Sequence, residues 1–382
     1  MIDVLIAGAG PVGLTLALAL HRRGVAVRMV ERREGLSFAS RASTFHPPTL
    51  EALDELGALA PLLPGGVRVD RVLWRRVDTG LSATLDFGVL RGGTRFPFRW
   101  HREQGEVTPA LARTLPAGVV HFNAGLEAIT QTDTSVTAHC IDGGTHTARY
   151  LVGCDGASGA TRALVGINAE TNDYAHRVLR LLTPLDLREY IAGLDGLAYL
   201  HDAAGSLSLL RMPDVWRLIF RIPPEMSDAA AMDDSHARGR VARFLPALRD
   251  LPISGRDVYG VRRAMAERYR AGRVLLAGDA AHLTNTRGGM NMNAGIHDAM
   301  TLAATLEAVL RGGDDAMLDH WAAARLRVVR EALLPRTDAR VAAPAEEVAR
   351  MAGMSEDEKR EWAREAAMLD IARVGDVAQP LP

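Results

Sequence analysis

The sequence predicts an α/β architecture: a parallel sheet flanked by helices, a mostly antiparallel β-sheet inserted into it, and helices toward the C-terminus. Three observations predict it. The chain opens on strand, glycine turn, helix and second strand. Two more buried apolar strands, each running into a Gly/Asp pair, recur far downstream at Tyr150–Gly156 and Arg273–Asp279. Between them lie short alternating segments of the kind that form antiparallel strands.

Residues 2–7 (Ile-Asp-Val-Leu-Ile-Ala) form the first strand. Gly8-Ala9-Gly10-Pro11-Val12-Gly13 comes next, then a helix-forming run from Leu14 to Arg23, a strand from Val25 to Val30, and Glu31. This is the order of a Rossmann-like site for an adenine dinucleotide. Gly8 permits the tight turn, Gly10 lets backbone N–H groups approach a pyrophosphate, and Gly13 lets the helix pack close to the sheet. The helix N-terminus, with Val12 in its first turn, offers unsatisfied donors and partial positive charge to phosphates. Glu31 is placed to accept hydrogen bonds from a ribose, with Arg32 beside it.

Beyond Arg32 the chain is polar and arginine-rich to Ser43. Pro47-Pro48 then opens a helix with Leu50, Leu53 and Leu56 at helical spacing, ended by Gly57. Residues 67–77 and 81–87 alternate as a hairpin of a separate sheet. A helix is predicted over 104–115, and strands at 119–122, 136–140 and 147–152 form an antiparallel meander. Four further strands are predicted at 178–184, 196–201, 206–211 and 215–222, ended by Pro223-Pro224. A helix is predicted near 236–245. After the strand at 273–277 come a helix from about Ala294 to Leu310, another from about Met317 to Leu334 ending before Pro335, and charged helical stretches at 346–350 and 355–369. Residues 374–382 read as frayed.

Composition narrows the function. With 382 residues, 48% hydrophobic, the chain can bury a large core in two to three structural units. A net charge of −1 gives no electrostatic case for nucleic acid or an anionic membrane surface. Cys140 and Cys154 form no disulfide framework, and neither has metal-ligand spacing with a histidine, so no metal is expected. No basic n-region precedes the first apolar run, and no apolar run reaches the ~18 residues of a membrane span. A cytoplasmic protein without stable membrane association, either monomer or homodimer, is the expectation.

The glycine turn, Asp155-Gly156 and Ala277-Gly278-Asp279-Ala280-Ala281-His282 occur in the order and at the separations of the FAD-dependent aromatic hydroxylases. Residues 1 to about 335 resemble that family of single-component flavoprotein monooxygenases, which includes para-hydroxybenzoate hydroxylase. The resemblance implies FAD held in a discontinuous domain (1–66, 98–177 and 259–312), a substrate-binding β-sheet domain (67–97 and 178–258) and a C-terminal helical region (313–382). It places Asp279 against the ribityl chain, although a helix N-cap would also suit this residue. It places Asp155, Arg41, Gln104, Gly289, Met292 and Asn293 at the cofactor, Asp155 having a structural turn as its competing role. Tyr199 matches a tyrosine that hydrogen-bonds substrate, and would equally suit a core position; Arg217 matches an arginine that contacts the flavin. His46 and His101 are further pocket candidates. Tyr199, Arg217 and Asn293 are the candidate catalytic residues.

The chain departs from the family at Asn285-Thr286-Arg287-Gly288-Gly289-Met290-Asn291-Met292-Asn293. The family has two prolines near 285–286 and a glycine at 291. Met212 also stands where para-hydroxybenzoate hydroxylase has its carboxylate-gripping arginine, with Arg211 adjacent.

The implied reaction uses NADH or NADPH and O2 to hydroxylate a phenolic or N-heteroaromatic small molecule through a C4a-hydroperoxyflavin. No second glycine fingerprint appears, so the nicotinamide is expected to dock transiently. No counterpart is expected of the thioredoxin-like domain of longer phenol-hydroxylase relatives. The alternative is a flavin-binding reductase or accessory protein without oxygenase activity.

Overall fold

The computed structural model describes residues 2–39, 42–203, 205–342 and 344–376. Arg41 and residues 377–382 lie outside the described residues.

The first large sheet has eight strands. Its continuous path runs Arg270–Ala271, Val274–Leu276, Thr145–Gly153, Ile2–Ala7, Val27–Val30 and Val120–His121, and Leu126–Gln131 and Val136–Cys140 extend the Thr145–Gly153 strand sideways. From Val274–Leu276 to Val120–His121 every neighbour is parallel. Parallel neighbours need crossovers that cover the sheet. The Pro11–Arg22 helix is the first of these, and every residue from Val12 to Leu20 in it is buried. Val120–His121 is a correction to the predicted meander: it comes after the Gln104–Arg113 helix and so returns parallel to Val27–Val30.

The second large sheet also has eight strands: His282–Leu283, Gly255–Ala266, Ala169–Thr183, Trp216–Ile222, Gly205–Arg211, Leu197–Asp202, Arg71–Arg76 and Ser82–Asp86. Only Leu197–Asp202 against Arg71–Arg76 is parallel. The mostly antiparallel inserted sheet is therefore present.

The predicted 67–77 strand divides at Asp70. Val67–Val69 joins Thr44–Phe45 and Arg99–His101 in a three-stranded sheet, and Arg71–Arg76 joins the large one. The Asp195 carboxylate stabilises the break by accepting from the amides of Asp70 at 2.8 Å and Arg71 at 3.0 Å.

The predicted 178–184 strand is longer, 15 residues from Ala169 to Thr183. Its outer half is polar and largely exposed, which hid it from hydrophobic patterning. With Gly255–Ala266 it forms a long two-stranded ladder linking the two sheets, and the divisions drawn at 177/178 and 258/259 fall inside these strands.

One face of the second sheet, including Leu179, Leu181, Leu200, Leu207 and Phe220, packs on Ala237, Val241 and Phe244 of the Asp234–Phe244 helix. On the opposite face Trp74, Leu197 and Tyr199 pack against Val348, Met351, Ala363 and Ala367 of the C-terminal helices Pro344–Gly353 and Glu356–Ala366. The helix expected to end before Pro335 continues past it. A π-turn at Val329–Leu333 separates Ala316–Val328 from Leu334–Ala342, placing Pro335 at the start of a segment, where a missing N–H breaks least. The Asn291–Leu310 helix begins three residues earlier than predicted. Among the described residues, no helix is long and apolar enough to cross a membrane.

Candidate active site

Ala7 is in register with both Gly153 and Val30, and Gly153 with Leu276. Four parallel strands thus end together, and each is followed within three residues by a predicted site residue: Gly8, Glu31, Asp155 and Asp279. In open α/β sheets ligands bind outside these carboxyl ends.

The turn after the first strand is tightly enclosed. Gly8 has φ +102°, and a Cβ there would lie 2.7 Å from the Asp155 Cα. A Cβ on Gly13 would collide with the Gly8 carbonyl oxygen, so the helix approaches closely only because both are glycine. Gly10 has open space where its Cβ would point. Behind the turn, Val12 fills the notch left by Gly278 and Gly295, drawing the starts of the Pro11–Arg22 and Asn291–Leu310 helices together.

Glu31 is buried, and its carboxylate accepts from the Ala9 amide at 2.8 Å and the Arg33 amide at 3.1 Å. It therefore braces the glycine turn at the position predicted for a ribose contact. Arg32 is exposed and reaches Ser158 beside Asp155. Asp155 Oδ2 accepts from the Thr161 amide and hydroxyl at 2.9 and 2.8 Å, whereas the buried Oδ1 has no partner among the described residues. Burial pushes this carboxyl above the usual carboxylate range, against the Thr161 hydrogen bonds. Free first-turn amides, open space over Gly10 and an unpaired buried oxygen fit an extended dinucleotide.

Asp279 is held from the side. The Asn291 amide donates to its Oδ1 at 2.7 Å, and Asn291 Oδ1 accepts from the Thr284 amide at 3.1 Å. Asn291, which departs from the family pattern, is thus a brace for Asp279. Beneath it lies a fully buried charge network that sequence reasoning missed. Asp298 accepts from the Gly278 amide at 3.0 Å, from His282 Nε2 at 2.8 Å and from Arg325 Nε at 2.7 Å. Burial alone would raise the Asp298 carboxyl; Arg325 and His282 outweigh it and hold it down to about 2. Asp298 lies one helical turn beyond Asn293–Ala294, a spacing that could have marked it as facing the same loop.

Asn293 is fully buried with its side chain committed to the backbone: it donates to Thr44 O at 2.9 Å and Gly289 O at 2.6 Å, and accepts from the His46 amide at 2.9 Å. Asn293 therefore ties the Thr44–His46 segment to the Gly289 loop, with Met292 buried and Gly289 tight against Thr44. His46 Nε2 donates to the Gly288 carbonyl at 2.9 Å, and burial pushes its pKa well down. His101 Nδ1 donates to the Arg211 carbonyl at 2.9 Å, and burial brings it to about 4. Both rings are neutral supports of backbone.

On the second sheet the register aligns Tyr199 with Ser208 and Ser208 with Ile219, so Tyr199, Arg217 and Arg221 share one face. Arg217 ion-pairs with Glu103 and donates to the Ser43 hydroxyl at 2.9 Å. Since Glu103 is the N-cap residue of the helix opened by Gln104, whose amide donates to Ala42 O at 3.1 Å, Arg217 anchors the Ala42–Ser43 and Glu103–Gln104 loops to the second sheet. Tyr199 is 4% exposed, with the Arg287 guanidinium carbon 4.7 Å from its ring centroid and Arg99 hydrogen-bonded to its hydroxyl. Arg99, Arg221, Arg287 and His201 were not singled out by sequence. They come from four separate elements without a shared spacing.

A family model described as FAD binding domain matches residues 1–334. The chain is 30% identical over 352 residues to para-nitrophenol 4-monooxygenase of Pseudomonas sp. (strain WBC-3), covering 88% of this chain and 85% of that one. It is 31% identical to a 3-(3-hydroxy-phenyl)propionate/3-hydroxycinnamic acid hydroxylase of Mycolicibacterium smegmatis, covering 86% of this chain and 59% of that longer enzyme. Its fold matches the crystal structure of p-nitrophenol 4-monooxygenase from Pseudomonas putida with a TM-score of 0.87 at 27% identity, over 98% of both chains. Aklavinone-11 hydroxylase, solved with FAD and aklavinone, matches with a TM-score of 0.73 at 28% identity, over 90% of this chain and 70% of that one. With three cofactor motifs converging on one sheet edge, this chain belongs to the FAD-binding flavoprotein monooxygenases.

Proposed function

We propose that this protein uses NADH or NADPH and O2 to hydroxylate a phenolic or N-heteroaromatic small molecule. The observation that carries the proposal is the pairing of the FAD-type strand ends with a second sheet that presents Tyr199 among buried hydrogen-bond donors. Bound FAD would supply the redox chemistry by which two electrons from a nicotinamide and dioxygen give one oxygen atom to the ring and one to water.

The chain's own residues supply position and electrostatics. The turn Gly8–Gly13, Glu31, Arg32, Asp155 and Asp279 would hold the dinucleotide, with Arg41 and Gln104 as further contacts. The start of the Asn291–Leu310 helix would direct positive potential at the flavin ring. Tyr199, whose oxygen accepts from Arg99, would orient a substrate hydroxyl, and the packed C-terminal helices would exclude water.

The altered 285–293 run does not favour an accessory role. Asn285 donates to Thr337 O at 2.8 Å and accepts from the Arg287 amide at 3.0 Å, and Asn291 braces Asp279. We assign the first sheet to cofactor binding and the second to substrate. Two buried free cysteines suit a reducing compartment, and we place the protein in the cytoplasm.

The test is an absorption spectrum of purified protein, followed by NADH or NADPH with a panel of phenols and N-heteroaromatics under oxygen-uptake measurement. Flavin bands that bleach faster with one compound, with oxygen consumed and a hydroxylated product, are expected. A flavin that no nicotinamide bleaches would move the reading to an accessory protein. Asp279→Ala and Gly10→Val are each expected to yield largely flavin-free protein, and fully loaded protein from both would count against the assigned cofactor contacts.

A further inference from the structure

The Tyr199 face of the second sheet is met by arginines of two kinds, some on its own strands and some brought in by the elements packed on it. Arg180 is paired with Asp257, Arg217 with Glu103 and Arg263 with Asp338. Around Tyr199 the pairing stops. Arg99 is 1% exposed and donates to the Ala366 carbonyl and the Tyr199 hydroxyl, leaving its Nε without a partner among the described residues. Arg221 donates to the Ser206 hydroxyl at 3.1 Å. Arg340 is 8% exposed, stacked 5.4 Å from the Trp362 ring. Arg287 is 7% exposed; its Nη2 meets His201 Nε2 at 3.2 Å and Glu347 at 3.5 Å, while Nε and Nη1 have no partner among the described residues.

Four buried or largely buried guanidiniums therefore share one loosely placed carboxylate. No carboxylate is paired with Arg99, Arg221 or Arg340 among the described residues. Burying a cation without a counter-charge is costly, and retaining several together implies that something else neutralises them. The imbalance is also felt inside the cluster: burial, then neighbouring Arg287, pushes Arg221 down to about 9, and burial pushes Arg99 down to about 10. His201 adds a donor. Burial and Arg287 bring it to about 3, so the ring is neutral; with Nε2 accepting from Arg287, its proton lies on Nδ1, which is buried and unpartnered among the described residues.

We propose that these arginines form an anion subsite, centred on Arg287, that takes a carboxylate carried by the aromatic substrate. A planar guanidinium fork matches a carboxylate in two parallel hydrogen bonds, and a dry setting strengthens both. The position agrees with a substrate site: Arg287 lies on the loop after Asp279, on the face of Tyr199 that the C-terminal helices cover. Met212, at the position where the resemblance expects a carboxylate-binding arginine, is 3% exposed and apolar, so it supplies no charge of its own. The assignment rests on the hydroxylase reading and narrows its substrates to aromatic acids.

The experiment titrates FAD-loaded protein with 2-, 3- and 4-hydroxybenzoate and with the matching hydroxybenzamides, reading flavin absorbance and oxygen uptake. At least one acid is expected to bind about ten-fold or more tighter than its amide, the size of one charge-assisted contact. That preference is expected to collapse in Arg287→Gln and to be partly kept in Arg287→Lys, with flavin content and thermal unfolding reported for each variant. Equal binding of acid and amide by the unsubstituted protein, including no measurable binding of either, would overturn the proposal without requiring any variant. A preference that persists in well-folded Arg287→Gln would also overturn it, and so would an effect of the substitution confined to NADPH affinity. Oxygen uptake driven equally by neutral phenols would sink the anion subsite alone, whereas protein that binds no flavin would sink the hydroxylase reading itself.

Discussion

Arg325 and Arg287 are both buried arginines on the same molecule, and their surroundings are opposite. Arg325 is fully buried and fully spoken for: Asp298 faces its Nε, and the carbonyls of Ile371 and Val374 face Nη1. Arg287 is nearly as deep, yet two of its nitrogens have no partner among the described residues and its one carboxylate stands at 3.5 Å. The first region is a finished structural network whose work is to hold Gly278 and Asp279 at the end of a strand. The second is short of negative charge. A buried charge that is paired shapes a site; a buried charge left over is where a ligand belongs.

The sharpest way to break this contrast is on the paired side. Asp298→Ala leaves Arg325 buried without its counter-charge and is expected to cost about 3–5 kcal/mol in denaturant unfolding, with flavin lost as Gly278 is released. The sign with pH comes from the same group. Its folded pKa, about 2, lies below the usual carboxylate value, so its stabilisation is complete above about pH 4 and lost as pH falls toward 2. The variant is expected to have a flatter acid limb, measured as stability against pH; an unchanged limb would place the acid sensitivity elsewhere.

Glu347→Gln tests the unpaired side and should do less to the fold, costing about 1–2 kcal/mol because the Arg287 contact is loose. It should also tighten hydroxybenzoate binding several-fold by removing the one carboxylate that competes with it, which equilibrium titration would read. Weaker binding would mean that Glu347 orients Arg287 for the ligand. Tyr199→Phe is the smallest perturbation: about 1 kcal/mol for the lost hydroxyl contact with Arg99. It is expected to lower kcat about a hundred-fold with little change in substrate affinity, and equal effects on both would reduce Tyr199 to packing.

Much of the geometry at the strand ends was legible in the residues themselves. Gly8, Gly13, Glu31, Asp155 and Asp279 act within a few residues of a strand end, where backbone torsion and close approach dictate the residue type locally. Reading was weaker where function depended on partners far away. Asn293 reads as a catalytic contact but spends its side chain on Thr44, His46 and Gly289. Asn291 reads as an intrusion and turns out to brace Asp279. Pro335 reads as a helix end until the π-turn before it accommodates the missing amide.

The order of elements, the α/β class, the dinucleotide turn and the family resemblance were determined by the sequence alone, because each is written in short-range spacing and in periodicity of burial. Only tertiary structure decided which buried charges are satisfied. Asp298, His282 and Arg325 meet across forty-odd residues, and Arg99, Arg221, Arg287, Arg340 and Glu347 come from five separate elements with no common period. Charge balance in an interior is a property of three-dimensional neighbours, so neither the completed network nor the surplus of buried cations has a signature along the chain.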